Sequence, residues 1–242
     1  MNTERKIAIV TGALFIIATT ASIAGSNVTK SVLDASNELA GMPANGNPIM
    51  VGALLSFIAA ATSAGIAIAM YPVLRKYYEG LALGAVGFRL LEAVFYIVAL
   101  ISPVVLFTLS QVVNAEGQTT FQALRQMLYA VHDLAGFVFG VFAFCIGALM
   151  YYYIMYRTNL IPRWLSIWGI AALVTLFGAA LLTLFDGEPY SISGNLMILA
   201  APIALQEMVL AVWLIVKGFN PSAIASRTSQ PDATVLKFAP QN

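Results

Sequence analysis

Residues 81–110 read LALGAVGFRLLEAVFYIVALISPVVLFTLS, an apolar run interrupted by two charged side chains, Arg89 and Glu92. A helix that crosses a bilayer needs about 20 mostly apolar residues, and this run is longer than that. Charges within such a run are costly unless they face protein or a water-filled cavity. The stretch therefore predicts a membrane-spanning helix that turns a polar pair toward the interior of a larger bundle.

The whole chain shares this apolar character. Of its 242 residues, 60% are hydrophobic and 10% are charged, and the mean hydropathy is +0.85. An ordinary soluble domain is roughly a quarter charged, so much of this surface must face lipid. The formal net charge of +1 excludes the basic field that attracts nucleic acid, and we expect membrane lipid as the main partner.

The remaining apolar stretches set the fold class. Backbone groups cannot go unpaired in lipid, and nothing here alternates as barrel strands would, so each stretch must be helical. We predict an all-α polytopic membrane bundle in residues 1–218, followed by a flexible cytoplasmic tail in residues 219–242. Its six transmembrane helices are expected at about residues 7–24, 49–74, 81–110, 127–156, 164–185 and 196–216.

The lysines and arginines set the orientation. Cytoplasmic loops of membrane proteins carry an excess of these residues. One set of ends and turns carries Arg5, Lys6, Arg75, Lys76, Arg157, Arg163, Lys217, Arg227 and Lys237. The opposite set carries only Lys30 and Arg125, so we expect both termini on the cytoplasmic side.

The first apolar stretch has an alternative interpretation as a signal peptide. A short charged start precedes it, and residues 22–25, SIAG, resemble a cleavage site. In that case only five spans would remain in the mature protein.

Polar residues inside the third and sixth spans are the main candidates for a site. Arg89 and Glu92 share a helix face at i, i+3 spacing, and Tyr96 lies one turn further along. Gln206 and Glu207 lie in the sixth span. At 1.5 Å per residue, Arg89, Glu92 and Glu207 are about 12, 17 and 15 Å from the inner ends of their helices. If these helices touch, Arg89 neutralises one carboxylate and we expect the other carboxyl to stay protonated.

The fourth span contributes His132 and Asp133, which lie nearer the outer surface. Adjacent residues point about 100° apart on a helix and do not easily share one ligand. Asp133 shares a face with Gly136 and Gly140, a spacing that favours close helix packing. Cys145 lies in an apolar run and is interpreted as a buried hydrophobe.

Several chemistries are excluded by residue counts and missing motifs. The chain has one histidine and one cysteine, too few for a bis-histidine haem, a histidine-rich zinc site or a cysteine-ligated cluster. It contains no phosphate-binding loop, no dinucleotide fingerprint and no Gly-x-Ser-x-Gly. We therefore expect no metal and no cofactor.

Four stretches together resemble a known family. They are LGAVGFRLLEA at 83–93, IPRWLSIWG at 161–169, PIALQEM at 202–208 and WLIVKGF at 213–219. In this order they resemble the bacterial membrane family called domain of unknown function 4386. The resemblance implies a multi-helix protein of the bacterial cytoplasmic (inner) membrane, and it implies no activity.

Three hypotheses for function remain open from the sequence. In the first, the protein binds or moves a small amphipathic or lipid-like molecule, as a monomer or a homo-oligomer, at Arg89, Glu92, Tyr96, His132, Asp133, Gln206 and Glu207. Alternatively, it is an intramembrane enzyme in which a protonated Glu92 or Glu207 acts as general acid on a lipid or isoprenoid. In the third hypothesis it is a structural or accessory membrane protein whose polar cluster only ties helices together.

Overall fold

The computed structural model describes residues 2–35, 46–113, 117–186 and 192–228, and in these ranges the chain is helical without any strand. The helices are α1 (Thr3–Ala35), α2 (Asn47–Leu74), α3 (Glu79–Ser110), α4 (Gln118–Asp133), a π-helical segment (Leu134–Phe139), α5 (Gly140–Thr158), α6 (Arg163–Asp186), α7 (Ile192–Val216) and α8 (Pro221–Thr228). Six spans in the described part of the chain are long and apolar enough to cross a membrane. The predicted all-α fold class is confirmed.

The six spans form a closed ring. Each packs against the next along the chain, and α7 returns to pack against α1. Short connections favour this antiparallel neighbour arrangement. Closure at α1 and α7 depends on a small residue, because a Cβ added to Gly12 would lie 2.7 Å from the carbonyl oxygen of Ala211. The centre of the ring is thereby enclosed by all six spans.

One end of the ring gathers the segments that the lysine and arginine distribution assigns to the cytoplasm. Arg5 donates to the carbonyl oxygens of Leu214, Ile215 and Val216 at 3.1, 2.6 and 3.2 Å, and so satisfies the last turn of α7. These carbonyls have no partner within their own helix, and a cation complements the helix dipole there. We call this end of the ring, where Arg5 meets the last turn of α7, the inner end.

All six spans extend beyond their predicted bounds, and the first and the fourth do so by the largest margin. The first begins at Thr3 and continues to Ala35, because α1 still packs against α2 beyond the end of its apolar run. The two helices are so close there that a Cβ added to Gly52 of α2 would lie 2.9 Å from the hydroxyl of Thr29 of α1. The fourth begins at Gln118 and includes the π-helical segment. Apolar content therefore marks the membrane core of a span, while tertiary packing determines where the helix ends.

The expected flexible tail at 219–242 requires a correction at its start. Pro221–Thr228 forms α8, which docks on the inner end of the ring. Phe219 is buried, the amide of Asn220 donates to the carbonyl of Leu160 at 2.9 Å, and the hydroxyl of Tyr77 donates to that of Ala223 at 3.0 Å. These apolar and hydrogen-bonding contacts hold the segment in place. Residues 229–242 lie outside the described residues.

Candidate functional site

A cavity of about 540 Å³ occupies the middle of the ring. Every span contributes to its lining, and most lining side chains are apolar, such as Ala18, Ile66, Val141, Leu176 and Met208. Its size lies within the range of small-molecule sites, about 300–1,000 Å³. The polar groups in the lining are few and lie on facing helices.

The first polar group is an ion pair on α3. Arg89 Nη1 lies 2.9 Å from Glu92 Oε2, and both residues are 1% exposed. Their i, i+3 spacing places them on one helix face, as the sequence predicts. Ser63 of α2 completes the arrangement, because its hydroxyl donates to Glu92 Oε1 at 2.8 Å and its carbonyl accepts from Arg89 Nε at 3.3 Å. The two charges of the pair thus neutralise each other, and both side chains are hydrogen-bonded to the neighbouring helix α2.

Two neighbours from α5 shape the environment of the guanidinium. The ring of Phe144 lies 4.7 Å from Arg89 Cζ in a cation–π contact. The stem of Arg89 passes Gly147, where an added Cβ would lie 3.1 Å from Arg89 Cγ. The absence of a side chain at Gly147 therefore lets α3 approach α5 with a buried arginine between them.

The second polar group is Glu207 on α7. Its Oε2 accepts from the hydroxyl of Thr19 on α1 at 3.4 Å. Its Oε1 is buried and has no hydrogen-bond donor among the residues that the structure describes. Glu207 forms no ion pair with Arg89 although both line the cavity. The expected trio is therefore present, but α3 and α7 face each other across the cavity instead of packing side by side.

The charges of the lining do not balance. Arg89 is already paired with Glu92, and the part of the chain that the structure describes contributes no other lysine or arginine to the lining. When both carboxylates are ionised, the lining has a formal charge of −1, located on Glu207. The arrangement can accept a hydrogen-bond donor or a cation at Glu207 Oε1. As a general acid, Glu207 is also better placed than Glu92, whose two oxygens both have partners.

Tyr96 also lines the cavity, as its place one turn beyond Glu92 suggests. Its ring lies against the start of α5, where a Cβ added to Gly140 would be 2.8 Å from Tyr96 Cε1. The predicted close packing at Gly136 and Gly140 occurs here, and at Gly136 the neighbour is Ala99 of α3. Small residues of the fourth span thus bring Tyr96 to the cavity wall.

Gln206 lies on a different face of α7 and does not line the cavity. It is fully buried, its Oε1 accepts from the hydroxyl of Tyr152 at 2.5 Å, and its Nε2 donates to the carbonyl of Leu165 at 3.0 Å. It thereby joins α5, α6 and α7. Both the amide oxygen and the amide nitrogen of Gln206 are therefore engaged in hydrogen bonds between helices.

His132 and Asp133 are also outside the cavity lining. His132 Nδ1 lies 3.1 Å from Asp133 Oδ1, so the two side chains bond to each other. The His132 ring contacts Phe137, with centroids 5.7 Å apart, and Phe137 does line the cavity. The pair therefore adjoins the cavity wall through one aromatic ring.

Sequence reasoning missed the two hydroxyls that hold the carboxylates, Ser63 and Thr19. Both are buried, at 5% and 8% exposure. No sequence signal separates them from other helical serines and threonines, because such residues often bond to their own helix, as Thr62 does to the carbonyl of Ile58. Among the described residues, no group of three or more His, Cys, Asp or Glu side chains comes together that could hold a metal ion.

The fold and the lining together define a class: a multi-pass helical membrane protein with a polar site inside its bundle. The chain belongs to the family described as Domain of unknown function (DUF4386), whose model matches residues 10–218. That range covers the first span from residue 10 onward, the other five spans completely, and every described residue of the cavity lining. Searches of curated proteins and of solved structures found no match.

Proposed function

We propose that the protein binds, or moves, a small amphipathic molecule in its central cavity, in the bacterial cytoplasmic membrane with both termini inside. The observation that carries this proposal is the contrast within the lining, where apolar walls surround one buried ion pair and one carboxylate that lacks a full set of partners. A cluster that only tied helices together would leave no space between Glu207 and the ion pair.

The cavity has a side entrance between α1 and α7. The lining residues that are exposed all belong to these two helices: Ser22, Ile23, Ala201 and Leu205. Toward the inner end the two helices are in contact at Gly12 and are held by Arg5. The exposed lining residues lie further from the inner end than these contacts, so the opening faces sideways between the two helices. An amphipathic molecule can therefore enter from the lipid without crossing an aqueous channel.

An intramembrane enzyme is the second candidate function, and the environment of Glu207 favours it. A carboxyl with one oxygen facing a mostly apolar cavity can hold a proton and deliver it to a bound lipid or isoprenoid. The two candidates differ in turnover: a bound molecule is released unchanged in the first and chemically altered in the second.

A cavity-filling substitution tests the binding proposal. Ala18→Phe places a ring in the cavity, while Ala13→Phe adds the same ring to the exposed face of the same helix. Each variant is extracted in native membrane vesicles, and small molecules released from it are measured by mass spectrometry. We expect a molecule that is present in the wild type and Ala13→Phe and absent from Ala18→Phe. Equal recovery from both variants would contradict binding in this cavity.

A further inference from the structure

We infer that the ligand is a lipophilic amine in its ammonium form, with its charge at Glu207 and its apolar part along the walls toward the side entrance. The inference rests on the proposed function and adds the chemical class of the ligand. It follows from the charge and hydrogen-bond balance of the lining, in which Glu207 Oε1 is the buried acceptor without a donor in the described structure.

An anionic head group does not fit this lining. Among the described lining residues, Arg89 is the only lysine or arginine; its Nη1 pairs with Glu92 and its Nε donates to the carbonyl of Ser63. An anion at the remaining nitrogen, Nη2, would share this single positive charge with Glu92 and would raise the formal charge of the ionised lining from −1 to −2. It would also lie in the same cavity as Glu207. Both effects disfavour phosphates, sulfates and carboxylates.

A cationic head group removes the imbalance instead. An ammonium donates to Glu207 Oε1 while Thr19 keeps Oε2, and the formal charge of the occupied lining becomes zero. Such charge-assisted hydrogen bonds are stronger than neutral ones. The rings of Tyr96 and Phe137 lie in the same lining, and aromatic rings attract cations.

The geometry also places the apolar part of the ligand. Beyond Glu207 on α7, the lining toward the entrance consists of Ala200, Ala201, Ala204 and Leu205, and Ile23 faces them from α1. The α7 side chains among these offer no hydrogen bonds, whereas on α1 the hydroxyls of Ser22 and Ser26 also line the cavity. A hydrocarbon chain attached to the ammonium group would lie along the α7 side chains and extend to the lipid.

Three dodecyl probes with different head groups test the inference. Dimethyldodecylamine, dodecanol and dodecyl sulfate share their chain and differ in charge. Their equilibrium binding is measured by dialysis with the full-length protein in nanodiscs of zwitterionic lipid, and binding to protein-free nanodiscs is subtracted. We expect the wild type to bind the amine at least about tenfold more tightly than the sulfate. Equal affinity, or preference for the sulfate or the alcohol, would overturn the inference on the wild type alone.

Two variants assign the preference to Glu207. Glu207→Gln keeps the shape and removes the charge, and Glu79→Gln makes the same change at an exposed inner-end carboxylate. We expect Glu207→Gln to lose at least about tenfold in amine affinity and to keep dodecanol binding, while Glu79→Gln binds like the wild type. Unchanged amine affinity in a folded Glu207→Gln protein would overturn the assignment.

The Ala18→Phe variant distinguishes a failure of the ammonium inference from a failure of the proposal that the cavity binds a ligand. If that variant loses binding of the sulfate or the alcohol instead of the amine, the cavity binds a ligand and only the ammonium inference fails. If it loses binding of none of the three probes, the cavity proposal fails as well.

Discussion

At the residue scale, the cavity separates two carboxylates that look alike in the sequence. Glu92 lies at the centre of a compensated group, with Arg89 on one oxygen and Ser63 on the other. Glu207 lines the cavity with Thr19 as the donor to one oxygen, and its other oxygen is buried without a donor among the described residues. Substitution of Glu92 is therefore expected to affect folding, and substitution of Glu207 is expected to affect ligand binding.

The Arg89–Glu92 pair leads to a prediction about stability. Arg89→Met leaves Glu92 buried without its cation, which we expect to cost about 3–5 kcal/mol of unfolding free energy. The double variant Arg89→Met with Glu92→Leu removes both charges and should recover a large part of that loss. Thermal unfolding of the purified variants, followed by intrinsic fluorescence, measures both effects. A double variant as unstable as the single one would show that the two charges do not compensate each other.

At the scale of the helices, the ring depends on how α7 ends. The helix ends at Val216, and two residues later Gly218 has a φ of +74°, in the left-handed region that other residues rarely adopt. Its amide donates to the carbonyl of Trp213 at 3.2 Å, and Arg5 caps the preceding turn. The same turn positions Phe219 and the start of α8. The end of α7 therefore joins the first and last helices of the ring.

Gly218→Ala tests this helix end. The added Cβ would be strained at this φ and would lie 2.9 Å from Arg5 Nη1, so we expect a loss of about 1–2 kcal/mol. Gly178→Ala, inside α6, is the matched control, since no atom lies within 4 Å of its added Cβ. Alanine is favoured over glycine in a helix by about 1 kcal/mol, and this control should be neutral or stabilising. Equal thermal unfolding temperatures for the two variants would contradict a special role of Gly218.

At the scale of the whole molecule, the charged turns and ends lie together at one end of the ring. Besides the Arg5 cap, Lys76 forms an ion pair with Glu4 at 3.1 Å. The structure shows which segments share an end, and the excess of lysine and arginine there supports its proposed location in the cytoplasm. The side entrance then opens in the half of the membrane away from the cytoplasm.

Cysteine labelling tests this orientation. Gln111→Cys and Glu79→Cys place exposed thiols at opposite ends of α3 without removing a positive charge. We expect a membrane-impermeant maleimide added to intact cells to label Gln111→Cys, and Glu79→Cys only after the cells are opened. The native Cys145 is buried and serves as the unlabelled background. Labelling of Glu79→Cys in intact cells would reverse the proposed topology.

The sequence alone determined that the chain forms six apolar spans and in which order they follow. These properties are local, because lipid requires a sufficiently long apolar helix and penalises each charge independently of its neighbours. The contact between Arg89 and Glu92 is also local, because both residues lie on one helix, and their i, i+3 spacing therefore predicts it. Helix ends were less predictable: the start of the tail, at Phe219, is held by contacts with distant turns.

Only the tertiary structure decided which face of each helix points inward. Gln206 and Glu207 are adjacent in sequence, so their side chains point about 100° apart on the helix. The apolar residues of α7 are spread over all of its faces, so the pattern does not indicate which of the two side chains faces the cavity. In the fourth span, the π-helical segment after Asp133 changes the hydrogen-bond register to i→i+5, which breaks a constant helical period. Ser63 and Thr19 became recognisable only once closure of the ring had set the rotation of every helix.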